Sequence, residues 1–195
     1  MHIKRIGKRL AGGYVPSLKN PAPTIYYRHS ERDFIYLLEA DPSVQRFERF
    51  PYSVFASQDG SHREHWVGFK VYTRSRIIFA DVAEKATEPE WLHDAKSEAN
   101  ARGGSYALVP HSSVRAEPRL SNAKAIVRNH ALPPSENFLL SLKQSLSGRM
   151  RTIGELEHEL SSFGDTRRLI LSAAARREVQ LDLSHALGAD TGVSL

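Results

Sequence analysis

The stretch that decides the fold starts with SERDFIYLLEADPSVQRFERFP at residues 30–51 and runs to residue 109. Residues 30–40 predict a helix, and Ser30 is a suitable N-cap for it. Its apolar residues are spaced three or four apart, so they share one face that can pack against a core. These residues are Phe34, Leu37 and Leu38.

Short apolar runs after this helix predict an antiparallel series of strands. They cover residues 52–56, 65–72 and 76–82, and a final short strand is predicted over residues 106–109. Thr87 and Glu90 have the spacing of a capping box and predict a second helix over residues 90–102, which Gly103 ends. Because the last two strands flank this helix, the sequence predicts an α/β fold with a mixed sheet flanked by helices. This is the layout of a restriction-endonuclease-like domain.

Short motifs along the same stretch agree with those of one known family. The first helix carries Glu31 and ends LLE-x-DP-x-V at 37–44; Phe-Pro at 50–51, Val-Gly-Phe at 67–69 and Asp-Val-Ala at 81–83 follow. In this order they resemble the motifs of the TnsA-type transposon endonucleases, which have QP, PDF and E-V-K at the last three places. The resemblance covers residues 19–109, and the helix motif is its closest part.

The resemblance implies a catalytic site, from which this sequence departs at two positions. In the family, two acidic residues hold a divalent metal ion that activates water, and a Lys neutralises charge in the transition state. The resemblance implies that Glu31 and Asp81 are the metal ligands, and that Mg²⁺ is the cofactor if the site is active. It also implies that Lys85 is a relocated catalytic Lys. Gly68 and Ala83 stand where the family has Asp and Lys. The sequence thus favours a nuclease-like fold with impaired catalysis over an active nuclease.

Composition favours a polyanionic partner and a cytoplasmic location. The 195 residues include no Cys, so disulfides and thiolate metal sites are excluded. No run approaches the roughly 18 apolar residues of a membrane-spanning helix, so no membrane partner is expected. The net charge is +5 and the isoelectric point is near 9.6, which favours DNA as a partner.

Residues 1–29 contain several basic residues and no acidic residue, and Gly and Pro interrupt them. This composition predicts an extended N-terminal arm that follows DNA phosphates without reading bases. The alternative is a solvated terminus without a ligand. The candidate DNA-binding residues of the arm are Lys4, Arg5, Lys8, Arg9 and Arg28.

The sequence predicts two domains after the arm. The nuclease-like domain covers residues 30–131 and includes a basic connector at 111–130, in which residues 121–127 predict a short helix. Pro133 and Pro134 mark the boundary, because consecutive prolines exclude both helix and strand pairing. Residues 135–195 form the second domain.

The second domain combines helical periodicity with strand alternation. Helices are predicted over 135–146, from Thr152 to 163 with a capping box at Glu155, and over 166–176 with Asp165 as cap; strands are predicted at 178–183 and within 186–193. This order predicts a small α+β winged helix-turn-helix domain, which also resembles the C-terminal domain of the same transposon family. The basic residues that would contact DNA are Arg167, Arg168, Arg176 and Arg177. Docking onto a protein partner is an equally open interpretation.

The aromatic and His residues of the strands are assigned to core or surface. Trp66, Phe69 and Phe79 are predicted to be core residues because strand alternation accounts for them without a ligand. His62 and His65 are predicted to be surface histidines, since H-x-x-H spacing on a strand directs them to opposite faces.

Three functional hypotheses follow. The preferred one is a DNA-binding accessory protein of a transposition complex, with a DDE-type transposase or its ATPase regulator as the protein partner that the resemblance implies. The second is an active Mg²⁺-dependent endonuclease that cuts at transposon ends. The third is a winged-helix transcriptional regulator.

Overall fold

The structure is a computed structural model that describes residues 12–58, 61–83 and 88–195. For residues 56–58 and 61–63 it describes only the backbone. The predicted site residues Lys4, Arg5, Lys8, Arg9 and Lys85 lie outside the described residues, as does Thr87. Among the helices of the described ranges, none has the length and apolar character needed to cross a membrane.

The N-terminal part contains a mixed sheet and four helices in the described ranges. Its elements in chain order are β1 (Gly13–Val15), β2 (Thr24–Tyr26), α1 (His29–Ala40), β3 (Val44–Arg49), β4 (Ser53–Gln58), β5 (Ser61–Trp66), β6 (Phe69–Thr73), β7 (Ile77–Ala83), α2 (Leu92–Ala101), β8 (Ser105–Pro110), α3 (His111–Val114) and α4 (Arg119–Arg128). The main sheet has the order β3-β6-β7-β8. Its first three strands are antiparallel, whereas β7 and β8 are parallel and α2 connects them. The predicted α/β class with a mixed sheet and a helical crossover is therefore confirmed.

Strand β3 is an element that the sequence pattern does not predict. A register shift between Val44 and Arg46 interrupts its pairing with β6. As a result its buried apolar residues, Val44 and Phe47, are three positions apart and do not alternate.

The main core lies between the sheet and helices α1 and α4. The predicted apolar face of α1 is confirmed, because Phe34, Leu37 and Leu38 are all buried. Phe34 meets Phe69 of β6 edge-to-face, with 5.0 Å between the ring centroids. Each of these buried side chains contributes about 1.5–3 kcal/mol of transfer free energy, which holds α1 and its Glu31 firmly against the sheet.

The predicted strand over residues 65–72 is wrong, because the chain leaves the ladder between Trp66 and Phe69. The first half pairs with β4 in a separate two-stranded hairpin, and the second half pairs within the main sheet. Gly68 sits in the break, where its N–H is bonded to a side chain and not to a neighbouring strand. Trp66 is 42% exposed, so its prediction as a core residue is also wrong, whereas Phe69 and Phe79 are buried.

Residues 13–26 form a hairpin that packs on α1, so the predicted extended arm is wrong for this segment. β1 and β2 pair antiparallel, and Val15 is buried. Lys19 follows β1 and donates from Nζ to the carbonyls of Leu38 and Asp41, at the end of α1. It therefore stabilises the carbonyl end of a helix and is not presented to DNA phosphates.

Two predicted helix starts differ from the structure. The N-cap of α1 is Arg28, and Ser30 is buried inside the first turn. Helix α2 begins at Leu92 and has Trp91 as its N-cap with no side-chain cap bond, so the box predicted at Glu90 does not start it. Gly103 ends α2 as predicted, with φ of 72°.

The C-terminal part contains three further helices and a small sheet. Its elements are α5 (Glu136–Ser145), β9 (Arg151–Thr152), α6 (Ile153–Glu159), a 3₁₀ turn (Ser161–Phe163), α7 (Thr166–Ala175), β10 (Gln180–Leu181) and β11 (Gly192–Ser194). Both predicted caps are confirmed: Thr152 and Glu155 form a complete capping box, and Asp165 accepts from the N–H of Arg168. The predicted strand over 178–183 is shorter than expected, and the three strands pair antiparallel in the order β10-β11-β9.

The predicted connector at 111–130 is part of the N-terminal core. Helix α4 packs on α1 and also contacts α7. Its buried Asn122 donates to the carbonyl of His185 at 2.8 Å and accepts from the N–H of Leu187 at 3.0 Å. One amide side chain thus ties a C-terminal loop to the N-terminal part.

Candidate functional site

A cavity of about 330 Å³ lies where α1, β7 and the start of α2 meet. It is lined by the two carboxylates that the sequence predicts as metal ligands and by one of the two departing positions. The polar and aromatic lining residues include Arg28, Glu31, His65, Asp81 and Trp91, and Ala83 also lies in the wall. The fold thus brings Glu31 and Ala83, which are 52 positions apart in the sequence, into the wall of one cavity.

Asp81 is held by three donors. It lies near the end of β7, where Gly68 donates its N–H to Oδ1 at 2.9 Å. Tyr106 donates its hydroxyl to Oδ2 at 2.7 Å, and His65 Nε2 lies 3.1 Å from the same oxygen. The side chain is only 12% exposed. Both carboxylate oxygens are therefore occupied by groups of the protein itself.

Tyr106 is fixed as a hydrogen-bond donor. Burial raises the pKa of its hydroxyl, and the adjacent negative charge of Asp81 raises the pKa further. Tyr52, which donates to the carbonyl of Ala95 at 2.9 Å, has its pKa raised to about 12, again chiefly by burial and then by Asp81. Near neutral pH both phenols are protonated, so Tyr106 donates to Asp81 and does not repel it.

Glu31 lies in the first turn of α1 and is also occupied. Its Oε2 accepts from the N–H of Tyr27 at 2.8 Å and lies 2.9 Å from Nη2 of Arg49. The two side chains of this ion pair are 17% and 8% exposed. The carboxylate is therefore neutralised by a buried guanidinium at the end of β3.

Arg49 is the residue of this site that sequence reasoning missed. Its guanidinium lies over the rings of Phe50 and Phe69, at 4.3 and 4.1 Å from their centroids. Nη1 donates to the carbonyl of Gly68 at 3.0 Å, while Nε and Nη2 make no well-aligned hydrogen bond. Burial lowers the pKa of Arg49, and the charges of Glu31 and Asp81 oppose that shift. A guanidinium remains protonated under such conditions, so the site carries a fixed internal cation.

The two departing positions have different surroundings. A Cβ built on Gly68 would lie 3.0 Å from Oδ1 of Asp81 and 3.5 Å from Nη1 of Arg49. An acidic side chain at this position would thus begin beside both groups. Ala83 is a wall residue of the cavity with no charge to offer.

His65 is placed differently from its prediction as a surface histidine. Besides its contact with Asp81, its ring stacks on Trp91 with 3.6 Å between centroids and 6° between planes. Its side chain is 24% exposed. No local motif identifies this pairing, because Asp81 and Trp91 approach His65 from different elements. The side chain of His62 lies outside the described part of the chain.

These residues do not form a ready ligand set for Mg²⁺. Hard cations require several free oxygen ligands at about 2.1 Å, whereas both predicted carboxylates already accept from protein donors. Among the side chains that the structure describes, no group of three or more His, Asp or Glu is arranged to hold a metal ion.

The four Arg residues predicted to contact DNA from the C-terminal part all have intramolecular partners. Arg167 forms two bonds of 2.9 Å with Glu157. The others reach the N-terminal part: Arg168 donates to Asn129 Oδ1, Arg176 to the carbonyl of His130 and Arg177 to the carbonyl of Val44. Of the predicted arm residues that the structure describes, Arg28 lines the cavity. DNA contact by these residues stays a prediction.

No protein-family model matches this chain, and no curated protein matches it in sequence. The resemblance to TnsA-type endonucleases therefore rests on the quoted motifs and stays a hypothesis.

Proposed function

We propose that this chain is a DNA-binding accessory protein of a transposition complex, built on a nuclease-like domain that no longer performs metal-dependent cleavage. The observation that carries the proposal is the convergence of four family positions on one small region. Glu31, Asp81 and Ala83 line the cavity, and Gly68 lies against Asp81. A restriction-endonuclease-like fold would bring these positions together, so their convergence supports the proposal.

The order of elements supports a restriction-endonuclease-like fold for the N-terminal part. A helix that carries the first acidic residue precedes three antiparallel strands, β3, β6 and β7, and the crossover helix α2 leads to the parallel strand β8. The hairpin of β4 and β5 is an insertion between the first and second of these strands. The prediction that residues 52–56 form the first strand of this series is wrong, because they pair only within the β4–β5 hairpin and β3 takes their place in the sheet. The later part of the predicted order, two antiparallel strands followed by a helical crossover to a parallel strand, supports the proposed core.

The C-terminal part is consistent with a winged helix-turn-helix domain. Helices α6 and α7 follow each other across a tight turn at Gly164, and a three-stranded antiparallel sheet accompanies them. Because α7 contacts α4, part of its surface is already used within the chain. Docking of this domain on protein therefore has as much support as DNA contact, and both are compatible with an accessory role.

An active Mg²⁺-dependent endonuclease is the second candidate. The observation that favours it is that Glu31 and Asp81, its expected ligands, line the same cavity. It requires that DNA binding releases both carboxylates from their present partners and that Lys85 acts as the catalytic Lys.

The test measures DNA binding and DNA cleavage on the same samples. Supercoiled plasmid and linear duplex are incubated with the chain in EDTA, Mg²⁺ or Mn²⁺, with Glu31→Ala, Asp81→Ala and Lys85→Ala as variants. The proposal expects salt-sensitive binding in EDTA and no nicking in any metal. Replacing Lys4, Arg5, Lys8 and Arg9 by Gln is expected to reduce the salt slope of binding by about 0.9 per lost phosphate contact.

Two results would decide against the proposal. Metal-dependent nicking that disappears in Asp81→Ala would establish the endonuclease. Absence of DNA binding at low salt by the folded chain would refute the DNA-binding role and leave protein docking.

A further inference from the structure

The acidic site contains a cation that belongs to the protein. The guanidinium of Arg49 lies 2.9 Å from Glu31 and donates to the carbonyl of Gly68 at 3.0 Å. The N–H of the same glycine donates to Asp81. One buried positive charge is thus linked to Glu31 directly and to Asp81 through a single peptide residue.

The position of Arg49 is built by its neighbours. Phe69 and Phe50 cover the guanidinium, and only 8% of the Arg49 side chain is exposed. Phe50 has φ of 53°, in the left-handed region that residues with a Cβ disfavour. Phe50 adopts this conformation directly after Arg49, with its ring over the guanidinium.

Only part of the hydrogen-bonding capacity of the Arg49 guanidinium is used by its surroundings. Its Nε and Nη2 atoms are buried without a well-aligned hydrogen bond, although Nη2 is within ion-pair distance of Glu31. A buried guanidinium with unused donors is costly in an apolar site unless nearby negative charge compensates for its lost hydration. Glu31 supplies that charge, and Asp81 adds to it.

We propose that Arg49 takes the place of a divalent cation between Glu31 and Asp81, so that this site binds no metal ion while Arg49 is present. The guanidinium neutralises Glu31 and occupies the side of that carboxylate that faces Gly68. The inference deepens the proposed function, because it gives the chemical reason for the loss of metal-dependent cleavage. It is tested without DNA, so either proposal can fail while the other holds.

The experiment measures Mn²⁺ binding to the EDTA-treated full-length chain by the loss of the free Mn²⁺ signal in electron paramagnetic resonance. The wild-type chain is expected to show no saturable binding that depends on Glu31. Arg49→Gln removes the charge. This variant is expected to gain one saturable Mn²⁺ site, with an affinity at least tenfold higher than that of any residual Mn²⁺ binding by the wild type. The double variant Arg49→Gln with Glu31→Gln is expected to lose that binding.

A matched control lies on the same strand. Arg46 is 54% exposed and pairs with Glu48 on the surface, so Arg46→Gln removes the same charge without opening the site. It is expected to bind Mn²⁺ no better than the wild type. Equal gains in Arg46→Gln and Arg49→Gln would refute the inference, because the effect would then reflect net charge.

Two further results would overturn the proposal. One is saturable Mn²⁺ binding by the wild-type chain that Glu31→Gln abolishes. The other is a folded Arg49→Gln chain, checked by circular dichroism, that gains no Mn²⁺ site. Should Arg49→Gln not fold, Gly68→Asp adds a carboxylate and leaves Arg49 in place. That variant is expected to stay without bound Mn²⁺, and binding by it would refute the role of Arg49.

Discussion

Removal of the Asp33 carboxylate is expected to destabilise the N-terminal part strongly. Asp33 lies on α1 with a side chain that is 1% exposed, and its oxygens lie within 3.0–3.3 Å of three cations. Burial acts to raise the pKa of Asp33, but bonds to Lys124 and Arg32 outweigh it and hold the pKa below its ordinary value of 3.8. The third cation, Arg115, comes from beyond β8. One carboxylate thus joins α1 to α4 and to the segment before it.

The size of the expected loss of stability depends on how exposed the three cations around Asp33 are. Breaking a buried ion pair by removing one member costs about 3–5 kcal/mol when the other charge stays buried. Here Lys124, Arg32 and Arg115 are 23%, 29% and 50% exposed, so all three can regain water. We therefore expect Asp33→Ala to lower the free energy of unfolding by roughly 2–3 kcal/mol, at or just below the lower bound of that range.

Urea denaturation at pH 7, followed by circular dichroism, measures this difference. Glu48→Ala is the matched control, because its partner Arg46 is 54% exposed and such surface pairs contribute about 0–1 kcal/mol. The difference in the free energy of unfolding between the wild type and Asp33→Asn should also decrease as the pH falls below 3.8. The folded-state pKa of Asp33 is lowered, so its contribution is present above the unfolded pKa and is lost as the pH falls through the folded one. A loss in Asp33→Ala no larger than in Glu48→Ala would refute this reasoning.

Three further predictions concern single side chains. Burial and the charge of Arg177 lower the pKa of Lys19 to about 8 from 10.5, so between these values the unfolded chain binds more protons and stability rises with pH. From pH 7.5 to pH 9.5, the free energy of unfolding in urea should rise by up to roughly 2 kcal/mol more in the wild type than in Lys19→Met. Tyr106→Phe removes a hydrogen-bond donor to Asp81 and should lower the free energy of unfolding, measured by thermal denaturation, by about 1–2 kcal/mol. Unchanged stability would contradict a role for this bond. Asn122→Ala should speed amide hydrogen exchange at residues 183–187, whereas the exposed Asn137→Ala should leave it unchanged.

The parts of the fold that local rules specify could be predicted from the sequence. The capping box of Thr152 and Glu155, the cap at Asp165 and the end of α2 at Gly103 depend on residues a few positions apart, and all are present. The crossover from β7 through α2 to β8 was also predictable, since apolar runs flank a helix with a glycine end. Each of these features is decided by neighbouring residues, so a single sequence is sufficient to predict it.

Features that depend on tertiary contact were missed for a physical reason. Strand β3 reads as polar because its bulge breaks alternation and because it ends in Arg49, whose charge is compensated by a residue of α1. The contact of His65 with Asp81 likewise requires β5 and β7 to meet at the break around Gly68. No periodicity records such pairings, since periodicity reports only which face of one element is apolar.

The same limitation explains why the catalytic motif alone could not decide between an active and an inactive site. Under the hypothesis of a TnsA-type resemblance, Gly68 and Ala83 depart from the motif, but both carboxylates remain, and a displaced Lys85 is compatible with either an active or an inactive site. The structure adds that Glu31 already has a buried cation and that Asp81 is held by three donors. Restoring acid and lysine at the two lost positions would therefore leave Arg49 beside Glu31. Recovery of a metal site is therefore expected to depend on removal of Arg49, because two cations cannot share that carboxylate without strong repulsion.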